Sequence, residues 1–426
     1  MRTSLFRAAL TSCLLGSATF AIGAFATSAV AAEKPAAPPV PIVSKPVGVL
    51  LDAAKKLMIA NDFVTAKATV TQALAVPNRT PIDDYEIDNF LGNIAIKLND
   101  HPTADTMFET MAESPVIPEA DKPATFRIAT LLANEAKHFD KAIKYGHAFI
   151  ALGGPPDDLV LSTMSQSYYF TNDFANAETF ANQSIAATAP GKVPNQSAYQ
   201  VLLGSQIKLK KEAAAIGTLE KMATYYNDPA DWGQLIDASS TIKMKPIELL
   251  FFYRLRLATR ASASGEEYSA MADIPLSIGY PAEAQAILEL GLATGKLSNS
   301  GKTAAKLADA RSRTVKDRAG LASFDAMATK SATGELDVKL AEAYFGYGRY
   351  ADAEAAARRA IGKDGAKTDL GEANMVLGMA LALEGKSADA LAAFNSVKGG
   401  SAALMKAQHL WSLYAGRKTT TAAATP

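Results

Sequence analysis

Cysteine is almost absent from this chain of 426 residues, since Cys13 is the only one. A single cysteine cannot form a disulfide within the chain, so the fold must be held together by the packing of its core alone. Charge of one sign is lacking as well, because 43 basic residues match 43 acidic residues. With a formal net charge of +0, the chain has no global field that would attract nucleic acid.

Sequence signatures of catalysis are also missing. The four histidines have no partners at the spacing of a metal site. Gly301-Lys302-Thr303 lacks the earlier glycine of a phosphate-binding loop, since Lys296 stands in its place. No Gly-x-Ser-x-Gly elbow for a nucleophilic serine is present. We therefore predict no enzymatic activity, no cofactor and no metal ion.

A repeat of 37 residues stands out near the C-terminal end. One segment opens on Leu340-Ala341 and reaches Gly348, and the next opens on Leu377-Gly378 and reaches Gly385. A period in this range predicts stacked helical hairpins, with the glycine ending the first helix of each hairpin. Alanine is abundant and strand formers do not alternate over several residues, so we predict an all-α protein.

The same pattern recurs five times towards the N-terminus. These units open near residues 53, 91, 129, 164 and 203. Pro77, Ser114-Pro115 and Pro190 fall where hairpins should end, which supports this register. Because a lone hairpin cannot bury its apolar face, we expect neighbouring hairpins to stack on one another.

This pattern resembles the tetratricopeptide repeat (TPR), in an exported bacterial member of that family. The resemblance implies an all-α fold, an α-α solenoid of tetratricopeptide-like helical hairpins in a right-handed superhelix. It also implies a concave groove, lined by the first helices of successive repeats, that binds a protein or peptide.

The sequence predicts six segments with different roles. Residues 231–330 fit the repeat pattern poorly, and Pro275 is expected to interrupt a helix there. The segments are a signal peptide (1–32), a Pro/Ala-rich linker (33–47), an N-terminal TPR array (48–230), a degenerate helical region with a basic segment (231–330), a C-terminal TPR pair (331–415) and a disordered tail (416–426).

The N-terminus has the features of a secretory signal. Two arginines begin it, an apolar run extends from Ala8 to about Phe25, and small residues permit cleavage near Ala31 or Ala32. We therefore predict an exported, periplasmic protein that is not an integral membrane protein after signal cleavage. A retained membrane anchor is one alternative, and lipidation of Cys13, which ends a lipobox-like tetrapeptide, is another.

The resemblance places a partner site on the outward positions of the first helices. Amide side chains there could bond an extended backbone, and aromatic side chains could act as anchors. The alternative for Tyr169 and Phe170 is that they pack against adjacent hairpins. The predicted groove residues are Asn93, Asn134, Gln166, Tyr169, Phe170 and Lys208.

Residues 296–330 are basic, with eight basic and three acidic side chains. One interpretation is a solvated helix face. The other is a patch for an anionic partner such as lipid headgroups, an acidic polysaccharide or an acidic protein. The predicted patch residues are Lys302, Lys306, Arg311, Arg313, Lys316 and Arg318.

These observations favour a non-enzymatic periplasmic TPR scaffold or adaptor. It would mediate protein–protein interaction through the concave groove, with an unknown protein or peptide as its partner and no nucleic acid. One alternative is a helical module that binds an anionic polymer or a membrane surface through residues 296–330. Another is an accessory protein or modulator of an envelope enzyme.

Overall fold

The computed structural model describes residues 42–363 and 368–417. The predicted signal peptide, its cleavage site, Cys13, most of the predicted linker and nearly all of the predicted tail lie outside the described residues. The last residues assigned to the linker, from Lys45 onwards, already belong to the first helix.

All regular structure in the described part of the chain is helical, with twenty helices in two compact units that divide between Lys210 and Lys211. The repeat pattern placed its own boundary after residue 230, and that division stays a prediction. Unit 1 contains α1 (Lys45–Ile59), α2 (Phe63–Ala73), α3 (Pro81–Leu98), α4 (His101–Glu113), α5 (Lys122–Glu135), α6 (Phe139–Ala151), α7 (Asp158–Phe170), α8 (Phe174–Ala187) and α9 (Gln196–Lys208).

Unit 2 contains the remaining eleven helices of the described residues. They are α10 (Glu212–Tyr226), α11 (Pro229–Ser239), α12 (Pro246–Ala258), α13 (Gly265–Ile278), α14 (Pro281–Ala293), α15 (Gly301–Lys330), α16 (Glu335–Gly346), α17 (Tyr350–Gly362), α18 (Leu370–Leu383), α19 (Ser387–Asn395) and α20 (Ala402–Gly416).

Successive helices pair as hairpins, as the repeat pattern predicted. In unit 1 the pairs are α1/α2, α3/α4, α5/α6 and α7/α8, and in unit 2 α16/α17 and α18/α19 carry the two clearest repeats. The first helices of neighbouring pairs also contact each other, α5 with α7 and α7 with α9. The fold is therefore an all-α solenoid of tetratricopeptide-like hairpins. The sense in which the hairpins wind stays a prediction.

A residue in the left-handed conformation ends the first helix of these hairpins. Gly348 (φ 71°) and Gly385 (φ 79°) have this role in unit 2, as predicted, and Asn61, Asn99 and Asn172 have it in unit 1. Asparagine tolerates this conformation better than most residues. After each of the three asparagines comes an aspartate that caps the second helix: Asp62 accepts from the Thr65 N–H at 3.1 Å, Asp100 from Thr103 at 3.4 Å and Asp173 from Asn176 at 3.1 Å.

In two hairpins the helices approach closely where a glycine faces an aromatic ring. A Cβ added to Gly92 of α3 would lie 3.0 Å from Cε2 of Phe108 on α4. Gly378 of α18 lies even closer to the ring of Phe394 on α19, which is fully buried. In both hairpins the phenylalanine follows the glycine by the same number of residues. The same close contact therefore sets how the two helices cross in each hairpin.

The last helix of unit 2 returns to one of its early helices. Trp411 of α20 is fully buried, and its Nε1 donates to the carbonyl oxygen of Phe251 on α12 at 2.9 Å. Ser401, just before α20, donates from Oγ to Glu248 Oε1 at 2.7 Å. Helices α12 to α20 therefore form a closed circuit of contacts within unit 2.

The region predicted to be degenerate consists of regular helices. Pro246 begins α12, as expected, but Pro275 lies inside α13 and does not interrupt it. A proline at this position removes only one backbone bond, and buried Met271 and Ala272 keep the helix packed. In the described residues, no helix combines the length and the apolar character needed to cross a bilayer.

We expect Gly378→Ala to destabilise unit 2 by about 1–3 kcal/mol, because the new methyl group would overlap the buried Phe394 ring. Gly320→Ala is the matched control. It lies in the middle of α15 with nothing within 4 Å of an added Cβ, so it should stabilise the helix by about 0.5–1 kcal/mol. Thermal unfolding followed by circular dichroism measures both, and equal midpoints for the two variants would contradict the close-contact argument.

Candidate interaction surfaces

Two of the predicted groove residues of unit 1 have their amide groups engaged within the protein. Asn134 of α5 is buried, and its Nδ2 donates to Ser167 Oγ on α7 at 2.8 Å. Asn93 of α3 is half-buried, and its Nδ2 donates to the carbonyl oxygen and to Oδ1 of Asn89 at 2.8 Å. Asn134 therefore joins two first helices, and a partner would have to displace one of its hydrogen bonds.

The two predicted aromatic anchors have different surroundings. The ring of Tyr169 lies against Gly204 of α9 and meets Phe174 edge to face, with 5.4 Å between ring centroids. Phe170 stacks on Phe139 with centroids 4.8 Å apart, yet it remains 54% exposed. Tyr169 thus packs between hairpins, whereas Phe170 presents an apolar surface to solvent.

The remaining groove residues lie near the C-terminal ends of α7 and α9. Gln166 is half-buried on α7, and Lys208 is exposed at the last position of α9. Ile207 beside it is 59% exposed, although the repeat pattern assigned it to the apolar position that follows Leu203-Gly204 and therefore not to the groove. We call Phe170, Ile207 and Lys208 the first-helix edge of unit 1.

A polar stripe on α3 adds Glu86 and Asn89, which the sequence analysis did not select, to the predicted groove residue Asn93. Glu86, Asn89 and Asn93 recur at helical spacing, and Asn89 Nδ2 donates to Glu86 Oε2 at 3.4 Å. Burial raises the pKa of Asp88 to about 6, and the charge of Asp84 adds to the rise. These half-buried acceptors could bond backbone N–H groups of a partner.

Three of the six predicted patch residues form ion pairs with acidic side chains. Two of these acids belong to the neighbouring helices α13 and α14, so the charge count over residues 296–330 did not include them. The third lies one turn earlier on α15 itself. The ion pairs are Lys306 with Asp273 at 2.6 Å, Arg311 with Glu289 at 2.9 Å and Arg313 with Asp309 at 2.9 Å.

The other three patch residues remain more available. Lys302 and Lys316 are exposed and make no ion pair within the described residues. Arg318 is also exposed, and its guanidinium lies 5.3 Å from the centroid of the Tyr347 ring. The six cations therefore do not form one continuous free patch.

Unit 2 has a buried charged cluster that the sequence analysis did not detect. Arg254 of α12 donates from Nε and Nη2 to both carboxylate oxygens of Glu283 on α14 at 2.7 Å. Its Nη1 donates to Glu342 Oε2 on α16 at 2.5 Å. All three side chains are buried, and Glu342 Oε1 has no hydrogen-bond partner. The cluster thus sets two carboxylates against one guanidinium.

A third carboxylate lies within electrostatic reach of this cluster. Burial raises the pKa of Glu372 on α18 to about 8, and the charges of Glu342 and Asp369 add to the rise. Burial also raises the pKa of Glu342, although Arg254 opposes it. Protonation of Glu372 at neutral pH therefore keeps a third negative charge away from this cluster.

The histidines pair with single side chains. His101 contacts Glu135, His138 contacts Asp105 and His409 contacts Glu220, each at 3.0 Å. Within residues 42–363 and 368–417, no three His, Cys, Asp or Glu side chains are arranged to hold a metal ion.

Comparison with known proteins finds similar solved structures but no sequence relative. No family model matches the chain, and no curated protein matches it. A crystal structure of a tetratricopeptide repeat protein from Parabacteroides merdae ATCC 43184 is similar to it at 12% identity and a TM-score of 0.34, covering 79% of this chain and 100% of that one.

Two further solved structures are similar at the same low level. The structure of Naa15/Naa10 bound to HypK-THB has 14% identity and a TM-score of 0.36, covering 82% of this chain and 53% of that one. The crystal structure of the P58(IPK) TPR domain has 10% identity and a TM-score of 0.24, covering 79% and 99%. At these values we draw no conclusion about function from the three proteins.

We expect the stability of unit 2 to fall as pH rises from about 4.5 to about 8. The native unit keeps the Glu372 proton up to a pKa of about 8, whereas the unfolded chain releases it near 4.5, so the native state binds more protons in this window. Thermal midpoints between pH 5 and 9 measure the effect.

Glu372→Gln should flatten this pH dependence, because glutamine does not titrate. Glu335→Gln is the matched control, since Glu335 is exposed on α16, and it should keep the wild-type dependence. A Glu372→Gln profile that follows the wild type across the whole range would refute the role of Glu372.

Proposed function

We propose that the protein is a non-enzymatic scaffold that binds a partner polypeptide on the first-helix edge of unit 1. The observation that carries this proposal is the exposure of a large aromatic side chain, Phe170, beside hairpins whose other aromatic residues are packed. Aromatic side chains at an interface supply much of its binding energy. Lys208 adds a cation at the end of the neighbouring first helix.

The chemistry of the edge favours a polypeptide partner. Phe170 and Ile207 offer apolar surface, while Gln166, one turn before Phe170 on α7, adds an amide group. An extended segment needs both kinds of group, since its side chains seek apolar contacts and its backbone seeks hydrogen bonds. The TPR-like hairpins hold these groups on rigid helices.

We also propose that the protein works in the periplasm of a bacterium. The support is the basic start, the apolar run and the small residues near Ala31 and Ala32. The purified exported protein should begin at Ala32 or Glu33 when its N-terminus is sequenced. A mature N-terminus at Met1 would contradict export through this signal, and one at Cys13 would indicate the lipidated alternative.

Phe170→Ala combined with Lys208→Ala should abolish capture of a defined partner from an envelope extract, because the exposed aromatic ring and the cation of the edge are both removed. Val64→Ala combined with Lys192→Ala is the matched control. It also truncates one exposed apolar residue and one exposed lysine of unit 1, away from the first helices.

The measurement is quantitative mass spectrometry of proteins retained by the wild type and by each variant. Proteins enriched by the wild type and the control, but lost from the Phe170/Lys208 variant, support the proposal. Equal recovery by all three proteins contradicts a role for this edge.

A further inference from the structure

The second half of α15 borders a groove that neither the repeat pattern nor the proposed function uses. It is an open cavity of about 610 Å³ between α15 and the end of α16 with the turn that follows, all within unit 2. Arg318, Ala322, Asp325 and Lys330 line it from α15, and Tyr344 and Arg349 line it from the other side. We call it the α15 groove.

Three cations and one carboxylate line the α15 groove. Arg318 and Lys330 are exposed, and Lys330 makes no ion pair in the described residues. Arg349 lies over the ring of Tyr344 at 4.4 Å, and its Nε donates to Asp352 at 2.7 Å in a half-exposed pair. Such exposed pairs are weak, so Arg349 can exchange Asp352 for another carboxylate at little cost.

The single carboxylate that lines the groove is already engaged. Asp325 Oδ1 accepts from Arg359 Nη2 at 2.8 Å, and Asp325 Oδ2 accepts from the Tyr344 hydroxyl at 3.0 Å. Because Arg359 balances Asp325 and Arg349 is paired with Asp352, the charges of Arg318 and Lys330 are left as an excess. Both residues belong to the part of the basic segment that borders the groove, and neither forms an ion pair within the described residues.

The shape of the groove suits an elongated occupant. Arg318 and Lys330 are twelve residues apart on one helix, which separates them by about 18 Å along its axis. Between them, Ala322 and Ala326 are small and exposed, so another backbone can approach α15 closely. A single phosphate or carboxylate could not reach cations this far apart, whereas a chain with several carboxylates could.

We propose that the α15 groove binds an acidic segment of a partner polypeptide. The carboxylates of the segment pair with Arg318, Lys330 and Arg349, and its backbone lies along the alanine stretch of α15. This site is separate from the first-helix edge of unit 1, so either proposal can fail without the other.

The test uses the full mature chain and a fluorescent decaglutamate peptide, with binding followed by anisotropy at low and at physiological salt. Arg318→Gln combined with Lys330→Gln should weaken binding at least tenfold. Arg311→Gln combined with Arg313→Gln is the matched control, because it removes the same charge from the same helix at residues paired with Glu289 and Asp309. The control should weaken binding less than threefold.

A third variant separates the groove from general electrostatics. Ala322→Phe fills the groove without changing the charge of the chain, and its site is exposed, so folding should be retained. It should also weaken decaglutamate binding at least fivefold. Circular dichroism checks that each variant has the helical content of the wild type.

Three results would overturn the proposal. The first is no binding of decaglutamate by the wild type at low salt. The second is an equal loss of affinity in the Arg318/Lys330 and Arg311/Arg313 variants. The third is binding to vesicles of phosphatidylglycerol without binding to the peptide, which would assign the groove to a membrane surface.

Discussion

The fold depends on the close approach of the two helices in each hairpin. Where Gly92 faces Phe108 and Gly378 faces Phe394, the absent Cβ leaves the space that the ring fills. Each contact is local in sequence, so a hairpin can form before its neighbours are in place. It cannot persist alone, however, because its apolar face is buried only when the next hairpin stacks on it. The stacking, in turn, decides which side chains remain exposed to a partner.

Unit 2 adds a second constraint at its centre. Arg254 connects α12 to α14 and α16 through Glu283 and Glu342, and these charges are buried. A buried ion pair adds little net stability over an apolar replacement, but removing one partner is costly because the other charge is stranded. The return of α20 onto α12 surrounds this helix on a further side. The cluster therefore fixes which helices meet, and the excess of carboxylates makes that arrangement sensitive to pH.

The sequence allowed the hairpins and their turns to be predicted, because helix periodicity and turn residues are local. Gly348 and Gly385 could be identified as helix ends for this reason, and the recurring Asn-Asp pairs, such as Asn61-Asp62, could have identified those of unit 1. The charged cluster could not be predicted, since Glu342 lies far along the chain from Arg254 and no pattern relates them. The same limit applied to the basic segment, where Asp273 and Glu289 neutralise cations that a local count treats as free.

Residue type alone therefore could not distinguish binding residues from packing residues. Asn134 and Tyr169 have the chemistry of partner contacts, yet the solenoid uses one to join α5 to α7 and the other to fill the space beside Gly204. Phe170 and Arg318 are also side-chain types typical of partner contacts, but Phe170 remains exposed and Arg318 lines an open groove. In such a fold a side chain with the chemistry of a partner contact can also pack against the neighbouring hairpin. The surface available for recognition consists of the side chains that remain exposed after the hairpins have stacked. It is therefore set by the stacking geometry and not by the repeat pattern.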